Sequence, residues 1–259
     1  MATYLDKIVA QHRSSAAADN RDLGRLHQLA GVQPAARGFR SAVQAADGLA
    51  VISEIKRRSP SKGQLNAYLD PADMARTYAR GGASCLSVLT DVDHFGGSVA
   101  DLQAAREACA LPVLRKDFTV CAADVLDARI MGADCLLLIV AALEPAELIE
   151  LHALAAGIGL DVLVEIHDEV ELEVALQAGA TLIGVNQRDL VTFHVDHERA
   201  VRMASVIPDH VVKVAESGVR GPADAASLRQ AGYHAVLVGE SLVTAADPAA
   251  AIEALRAAR

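Results

Sequence analysis

The feature that most constrains this chain is a repeat of pattern rather than of letters. Eight short, β-rich apolar runs, Leu49–Ile55, Ser84–Leu89, Pro112–Leu114, Asp134–Ile139, Asp161–Glu165, Leu182–Val185, Val211–Val214 and Ala235–Val238, are each followed by apolar residues at helical spacing. After Asp161–Glu165 that spacing is carried by Val170, Leu172, Val174, Ala175 and Leu176, with Asp168 placed to cap a helix and Gly179 placed to end it. The runs recur roughly every 20–30 residues, the length of a βα unit, and regular alternation of this kind implies a parallel sheet. Gly82-Ala83, Gly132-Ala133, Gly179-Ala180 and Gly232-Tyr233 each mark a place where a helix gives way to a strand. Eight units favour closure into an α/β (β/α)8 TIM barrel over an open, doubly wound sheet.

At 259 residues, without a break in composition, the chain is expected to form one barrel domain over 1–259. Residues 1–48 form a helical extension packed on it, with helical spacing at Leu5, Ile8 and Val9 and again at Leu23, Leu26 and Leu29. Hydrophobic residues make up 52% of the chain while aromatics are 3% and Trp is absent, which predicts a core of aliphatic layers. A formal charge of −9 argues against a nucleic-acid partner, because phosphate-backbone affinity needs many cations, but leaves room for a small anion held locally. Cys85, Cys109, Cys121 and Cys135 form no C-x-x-C pair, which favours free thiols in a reducing compartment. Asp6 and Lys7 interrupt any secretory signal in Met1–Arg13, and the longest apolar run, Cys135–Leu143, is too short to span a bilayer. A cytoplasmic monomer without membrane or nucleic-acid partners is the expectation.

Parallel strands put all their carboxyl ends on one face, so polar residues recurring there converge on one site. The first run contains Glu54 and leads into Lys56; the third ends in Arg115-Lys116-Asp117, the fifth in Glu165, the sixth in Asn186 and Arg188, the seventh in Glu216-Ser217-Gly218, and the eighth in Gly239-Glu240-Ser241. Side chains alternate across a strand, so Glu54 and Lys56 share one face, as do Asn186 and Arg188. Lys56, Lys116 and Arg188 beside Glu54, Glu165 and Glu216 can bind an anion at one end and move protons at the other. The glycine turns after the seventh and eighth runs let backbone N–H groups approach a phosphate closely, the place where barrels often bind one. Glycines needed only for tight turns are the competing explanation.

Other motifs are weaker. Gly157-Ile158-Gly159 lacks the third glycine of a dinucleotide loop, and there is no P-loop. His194 and His197 have a metal-like spacing but sit in a polar connection with Asp196, and no H-E-x-x-H helix is present. Gly96, Gly97 and Ser98 are expected to shape a loop.

Taken together, Ser53-Glu54-Ile55-Lys56-Arg57-Arg58-Ser59-Pro60-Ser61, Leu86-Ser87-Val88-Leu89-Thr90, Pro112-Val113-Leu114-Arg115-Lys116-Asp117-Phe118, Leu163-Val164-Glu165, Gly184-Val185-Asn186-Gln187-Arg188-Asp189-Leu190 and Val214-Ala215-Glu216-Ser217-Gly218 resemble the indole-3-glycerol phosphate synthase family, in order and spacing, over nearly the whole chain. The resemblance implies a carbon–carbon lyase of tryptophan biosynthesis. Its substrate would be 1-(2-carboxyphenylamino)-1-deoxyribulose 5-phosphate and its products indole-3-glycerol phosphate, CO2 and water, with no metal and no organic cofactor. It implies Lys116 as general acid, Glu165 as acid/base of the dehydration, Glu54 as the group orienting Lys116, and Asn186 and Glu216 as hydrogen-bonding partners. It further implies Lys56 and Arg188 at the substrate carboxylate and neighbouring anionic groups, Phe95 and Phe118 as walls for the anthranilate ring, and Ser59, Ser217, Gly218 and Gly239 at the phosphate. Glu240 departs from a pattern of small hydroxyl residues after the last glycine, so its side chain is expected to turn away. A Schiff-base aldolase using Lys116 or Lys56, and a non-catalytic phosphate sensor, are the alternatives; the carboxylates around the lysines count against the first and the Lys116–Glu165 pair against the second.

Overall fold

A computed structural model describes residues 3–189 and 191–258; Leu190 of the motif above lies outside them. Eight parallel strands close into a barrel: β1 Ala50–Ile55, β2 Cys85–Leu89, β3 Val113–Lys116, β4 Cys135–Ile139, β5 Asp161–Ile166, β6 Leu182–Asn186, β7 Val212–Glu216 and β8 Ala235–Val238, with β1 pairing both β2 and β8. Both faces of these strands are buried, one against the barrel axis and one against helices, which is why they read as near-continuous apolar runs rather than as alternating ones. The inner layers are aliphatic: Ala50, Ile52, Leu114, Leu137, Leu163, Leu182, Val212, Val214 and Leu237 belong to one packed cluster.

Local chemistry starts and stops the surrounding helices. Asp70, Ser98, Asp168 and Asp247 accept hydrogen bonds from the first turns of α4 (Pro71–Arg80), α5 (Val99–Ala108), α8 (Glu169–Gln177) and α12 (Pro248–Arg256). Gly179, at φ 84°, turns the chain out of α8. Ser98, expected to shape a loop, does so as a helix cap. The remaining barrel helices are α6 (Ala122–Ile130), α7 (Pro145–Gly157), α9 (Arg199–Ala204), α10 (Pro222–Gln230) and α11 (Glu240–Val243).

The N-terminal extension is helical and runs from one end of the barrel to the other. α1 (Tyr4–Ala18) lies over the carboxyl ends of the strands, where His12 meets Asp91 and Arg13 bonds Glu147 and the Ala142 carbonyl. α2 (Leu23–Gly31) packs Leu26 and Ala30 against Ala123 and Leu126 of α6. α3 (Phe39–Gln44) inserts Phe39 and Val43 into the inner cluster from the opposite end. The backbone N–H groups of Arg37 and Arg40 donate there to the Asp134 and Asp161 carboxylates, at 2.8 and 2.9 Å.

Several boundaries differ from the sequence expectation. β3, β6 and β7 run on to Lys116, Asn186 and Glu216, because the parallel ladder continues through polar residues once neighbouring strands supply backbone partners. A two-stranded hairpin, Arg58–Ser59 with Gly63–Gln64, stands in the connection after β1 and has no apolar signal to betray it. The connection after β6 is long, residues 187–198, before a helix of only six residues.

Candidate active site

The residues expected at the strand ends converge on one cavity of about 840 Å³. Parity places them: Glu54 follows Ala50 and Ile52 on the inner face, Lys116 follows Leu114, Glu165 follows Leu163, and Glu216 follows Val212 and Val214. The same inward-facing rows that fill the barrel lower down therefore end in charged groups at its mouth.

At the centre, Lys116 Nζ lies 3.1 Å from Glu165 Oε2 and 3.3 Å from Glu216 Oε2. Asn186 Nδ2 donates to Glu165 Oε1 at 2.9 Å. Glu54, expected to orient and charge-balance Lys116, accepts a hydrogen bond from Lys56, and its charge also favours the Lys116 ammonium. The two carboxylate side chains are 2% exposed and the lysine side chain 15%, and all three line the cavity.

Burial alone would lower the Lys116 ammonium, but Glu165, Glu216 and Glu54 together raise it above the ordinary lysine value. The amine is charged at neutral pH. Glu165 is driven upward by burial and pulled further down by Lys116, His167 and Asn186, ending below the usual carboxylate range. Glu216 goes the other way: burial raises it, Lys116 pulls against that, Glu165 and Glu54 push again, and it is pushed up to about 7. Its Oε1 is buried without a hydrogen-bond partner. Gly184 makes room for this carboxylate, since a Cβ there would overlap Glu216 Oε1. One mouth thus holds a cation, an ionised carboxylate and a carboxyl that exchanges its proton near neutrality.

The cavity walls differ in character. On one side the rings of Phe95 and Phe118 lie 6.3 Å apart, and Tyr4, Leu5 and Ile8 of α1 close over the opening. Phe193 packs edge-on against Tyr4 at 5.4 Å. On the other side stand Ser59, Ser217, Gly218 and Gly239. Ser217 and Gly218 both have positive φ, 64° and 74°. For serine this conformation is uncommon and strained, a cost usually met at functional turns. A Cβ on Gly218 would collide with Val195, and one on Gly239 would overlap the Glu54 carboxylate and crowd Lys56 Nζ. Lys56 is therefore on the Gly239 side. Arg188 also lines the cavity, its Nη1 donating to the Phe193 carbonyl at 3.1 Å. Glu240 lies 3.7 Å from Lys62 Nζ in a partly exposed pair at the rim.

His12, Asp91 and His167 gave no signal in the sequence. His12, Asp91 and Asp117 form the group of metal-type side chains that comes together among the described residues, but their oxygens already accept from His94 N, Phe95 N, Thr90, Arg115 and Phe118 N. His194 and His197 line the cavity without joining such a group. His167 stands just past β5 with Nε2 3.8 Å from Glu165 Oε1. A pairing between residues on α1, the β2 loop and β3 has no sequence period to reveal it.

A closed parallel barrel with two carboxyl groups and an ammonium at its mouth and glycine turns after β7 and β8 defines a class: a (β/α)8 barrel whose carboxyl end is equipped for acid–base chemistry. The family model described as "Indole-3-glycerol phosphate synthase" matches residues 5–255, and the chain belongs to that family of carbon–carbon lyases of tryptophan biosynthesis. It is 50% identical over 258 residues to the indole-3-glycerol phosphate synthase of Streptomyces griseus, covering 99% of this chain and 96% of that one. It is 48% identical over 253 residues to that of Mycolicibacterium vanbaalenii, covering 97% and 93%. Among solved structures, a thiamine phosphate pyrophosphorylase from Pyrococcus furiosus superposes with a TM-score of 0.60 at 16% identity, covering 80% of this chain and 93% of that one. An N-acetylmannosamine-6-phosphate 2-epimerase from Clostridium perfringens does so with 0.61 at 14%, covering 77% and 89%. These two likenesses are of fold. Among the described residues no helix is long and apolar enough to cross a membrane.

Proposed function

We propose that this cavity converts 1-(2-carboxyphenylamino)-1-deoxyribulose 5-phosphate to indole-3-glycerol phosphate, CO2 and water, with Lys116 and Glu165 carrying the protons. The observation that carries this division of labour is the Lys116 ammonium lining the cavity together with two buried carboxyl groups of opposite protonation tendency, 3.1 and 3.3 Å from it.

The substrate lies with its anthranilate ring against Phe95 and Phe118 and its phosphate toward Ser59, Ser217, Gly218 and Gly239, where the Glu240 and Ser241 N–H groups at the start of α11 have no backbone partner among the described residues. Lys116 donates a proton to the sugar carbonyl as the ring carbon bearing the carboxylate attacks it. Breaking the bond to CO2 returns the electron pair to the ring. Glu165 then handles the proton traffic of dehydration, which leaves the indole aromatic. Arg188 grips the substrate carboxylate. Lys56, read from the sequence as a carboxylate ligand, is better supported at the phosphate end by its position against Gly239. Asn186 fixes one Glu165 oxygen, and Glu216 holds Lys116 in place, while Glu54 charge-balances Lys56 and, at longer range, Lys116.

A Schiff-base route needs a neutral amine, and the charge environment of Lys116 opposes it. We also propose that the chain works as one domain over 1–259, with 1–48 as an extension packed on the barrel, and as a cytoplasmic monomer; the free thiols support a reducing compartment. Mixing the protein with the anilino-sugar phosphate tests the reaction directly: indole fluorescence should grow over a background without tryptophan. No fluorescence, or trapping of a substrate adduct by borohydride, overturns it.

A further inference from the structure

His167 is a partly buried titratable group for which the reaction above has no role. Its backbone N–H and its ring Nδ1 both meet one oxygen of Glu171, at 2.7 and 3.0 Å. A carboxylate accepts and does not donate, so Nδ1 carries the proton whether the ring is neutral or charged. That anchor fixes the ring plane and aims Nε2 at Glu165 Oε1, 3.8 Å away. Nε2 is buried and has no hydrogen-bond partner. In the neutral ring a lone pair would face a carboxylate oxygen; in the imidazolium an N–H would.

We propose that His167 is a positioning residue for Glu165: held by Glu171, its imidazolium is a second cation, opposite Lys116, that sets how readily Glu165 gives up and recovers its proton. The inference rests on the reading of Glu165 as the acid/base group. The charged groups facing the ring are Glu165 from β5, Glu171 from α8 and Arg199 from α9, whose guanidinium donates to the Asn186 carbonyl at 2.9 Å. Burial and Arg199 work against the imidazolium, and the two carboxylates outweigh them, so the ring titrates above the ordinary histidine value. Below that titration Glu165 sits between two cations and its ionised form is favoured. Above it, one cation is lost and Glu165 holds its proton more tightly.

Two measurements on the full chain test this. The first follows kcat and KM against pH for the wild type and for His167→Gln, which keeps a donor near the Nε2 position but cannot titrate. The wild type should lose kcat as pH rises through the His167 titration. His167→Gln should lack that limb and have kcat lower by about tenfold at its low-pH side, the rate equivalent of one pK unit. Its KM and melting temperature should match the wild type, because no phosphate or ring contact is touched. The second follows the His167 ring nitrogens by ¹⁵N NMR: their midpoint should fall in Glu165→Gln and in Glu171→Gln. Superimposable pH profiles for His167→Gln and wild type, or a His167 midpoint unmoved in Glu165→Gln, overturn the proposal. Should the wild type fail to turn over the anilino-sugar phosphate, the reaction assignment fails, while the NMR shift still decides whether His167 and Glu165 are coupled.

Discussion

At the scale of single residues the site separates groups that bind from groups that move protons. Lys116→Met should lower kcat by at least about 10²-fold with little change in KM, since the proposed phosphate and carboxylate contacts lie on other strands; single-turnover kinetics read both, and a wild-type kcat removes Lys116 from the mechanism. Glu165→Gln keeps the shape of the side chain and its acceptor for Asn186 but cannot exchange a proton. A loss of about 10²–10⁴-fold is expected, with a decarboxylated, still hydrated intermediate detectable by mass spectrometry, and near-normal indole formation would pass the role to Glu216. Glu216 also makes a prediction about stability. Its folded value, about 7, is above the 4.5 of the free carboxyl, so the folded state binds more protons than the unfolded state between these limits. The stabilisation is full below about pH 4.5 and is lost as pH rises through 7, by at most about 3 kcal/mol. Glu216→Gln removes this dependence, so chemical denaturation at pH 5 and pH 8 should show the variant gaining on the wild type at the higher pH. A constant difference would mean that Glu216 does not titrate in this window.

At the scale of elements, the two ends of the barrel do different work. At the amino end, Asp134 is fully buried and accepts from Arg37 N, Val113 N and Arg106 at once, tying the segment before α3 to β3 and α5. Asp134→Ala strands these donors, each worth about 1–3 kcal/mol when left buried and unpaired. The variant should unfold at a clearly lower denaturant concentration, with the KM of the surviving folded protein unchanged; a KM effect would show that the amino end communicates with the site. At the carboxyl end α1 contributes Tyr4, Leu5 and Ile8 to the cavity wall and is held by polar contacts of Gln11, His12 and Arg13. The helical character of α1 is legible locally, from Leu5, Ile8 and Val9 and from Thr3 and Asp6, which make a capping box. Where the helix docks is not, because its partners Asp91, Asp117 and Glu147 belong to two separate connections and to α7.

Over the whole molecule, the aliphatic core holds without disulfides. Cys85 and Cys135 are buried inside the barrel, where loss of hydration pushes their thiols up, and Cys109 and Cys121 are partly exposed. A thiol reagent should therefore modify two of the four cysteines in the native protein and all four in denaturant; four fast native reactions would contradict the packing. The sequence by itself determined the parallel barrel and the end at which its chemistry lies. Both follow from short-range facts, the 20–30-residue alternation and the parity that puts Glu54, Lys116, Glu165 and Glu216 above aliphatic residues of the same strands. Only the tertiary structure decided which charges pair. Lys116 sits between Glu165 and Glu216 while Glu54 takes Lys56, and His167 looks onto Glu165. Those choices depend on distances across a closed mouth and on how far each group is withdrawn from water. Neither quantity exists until all eight strands have met.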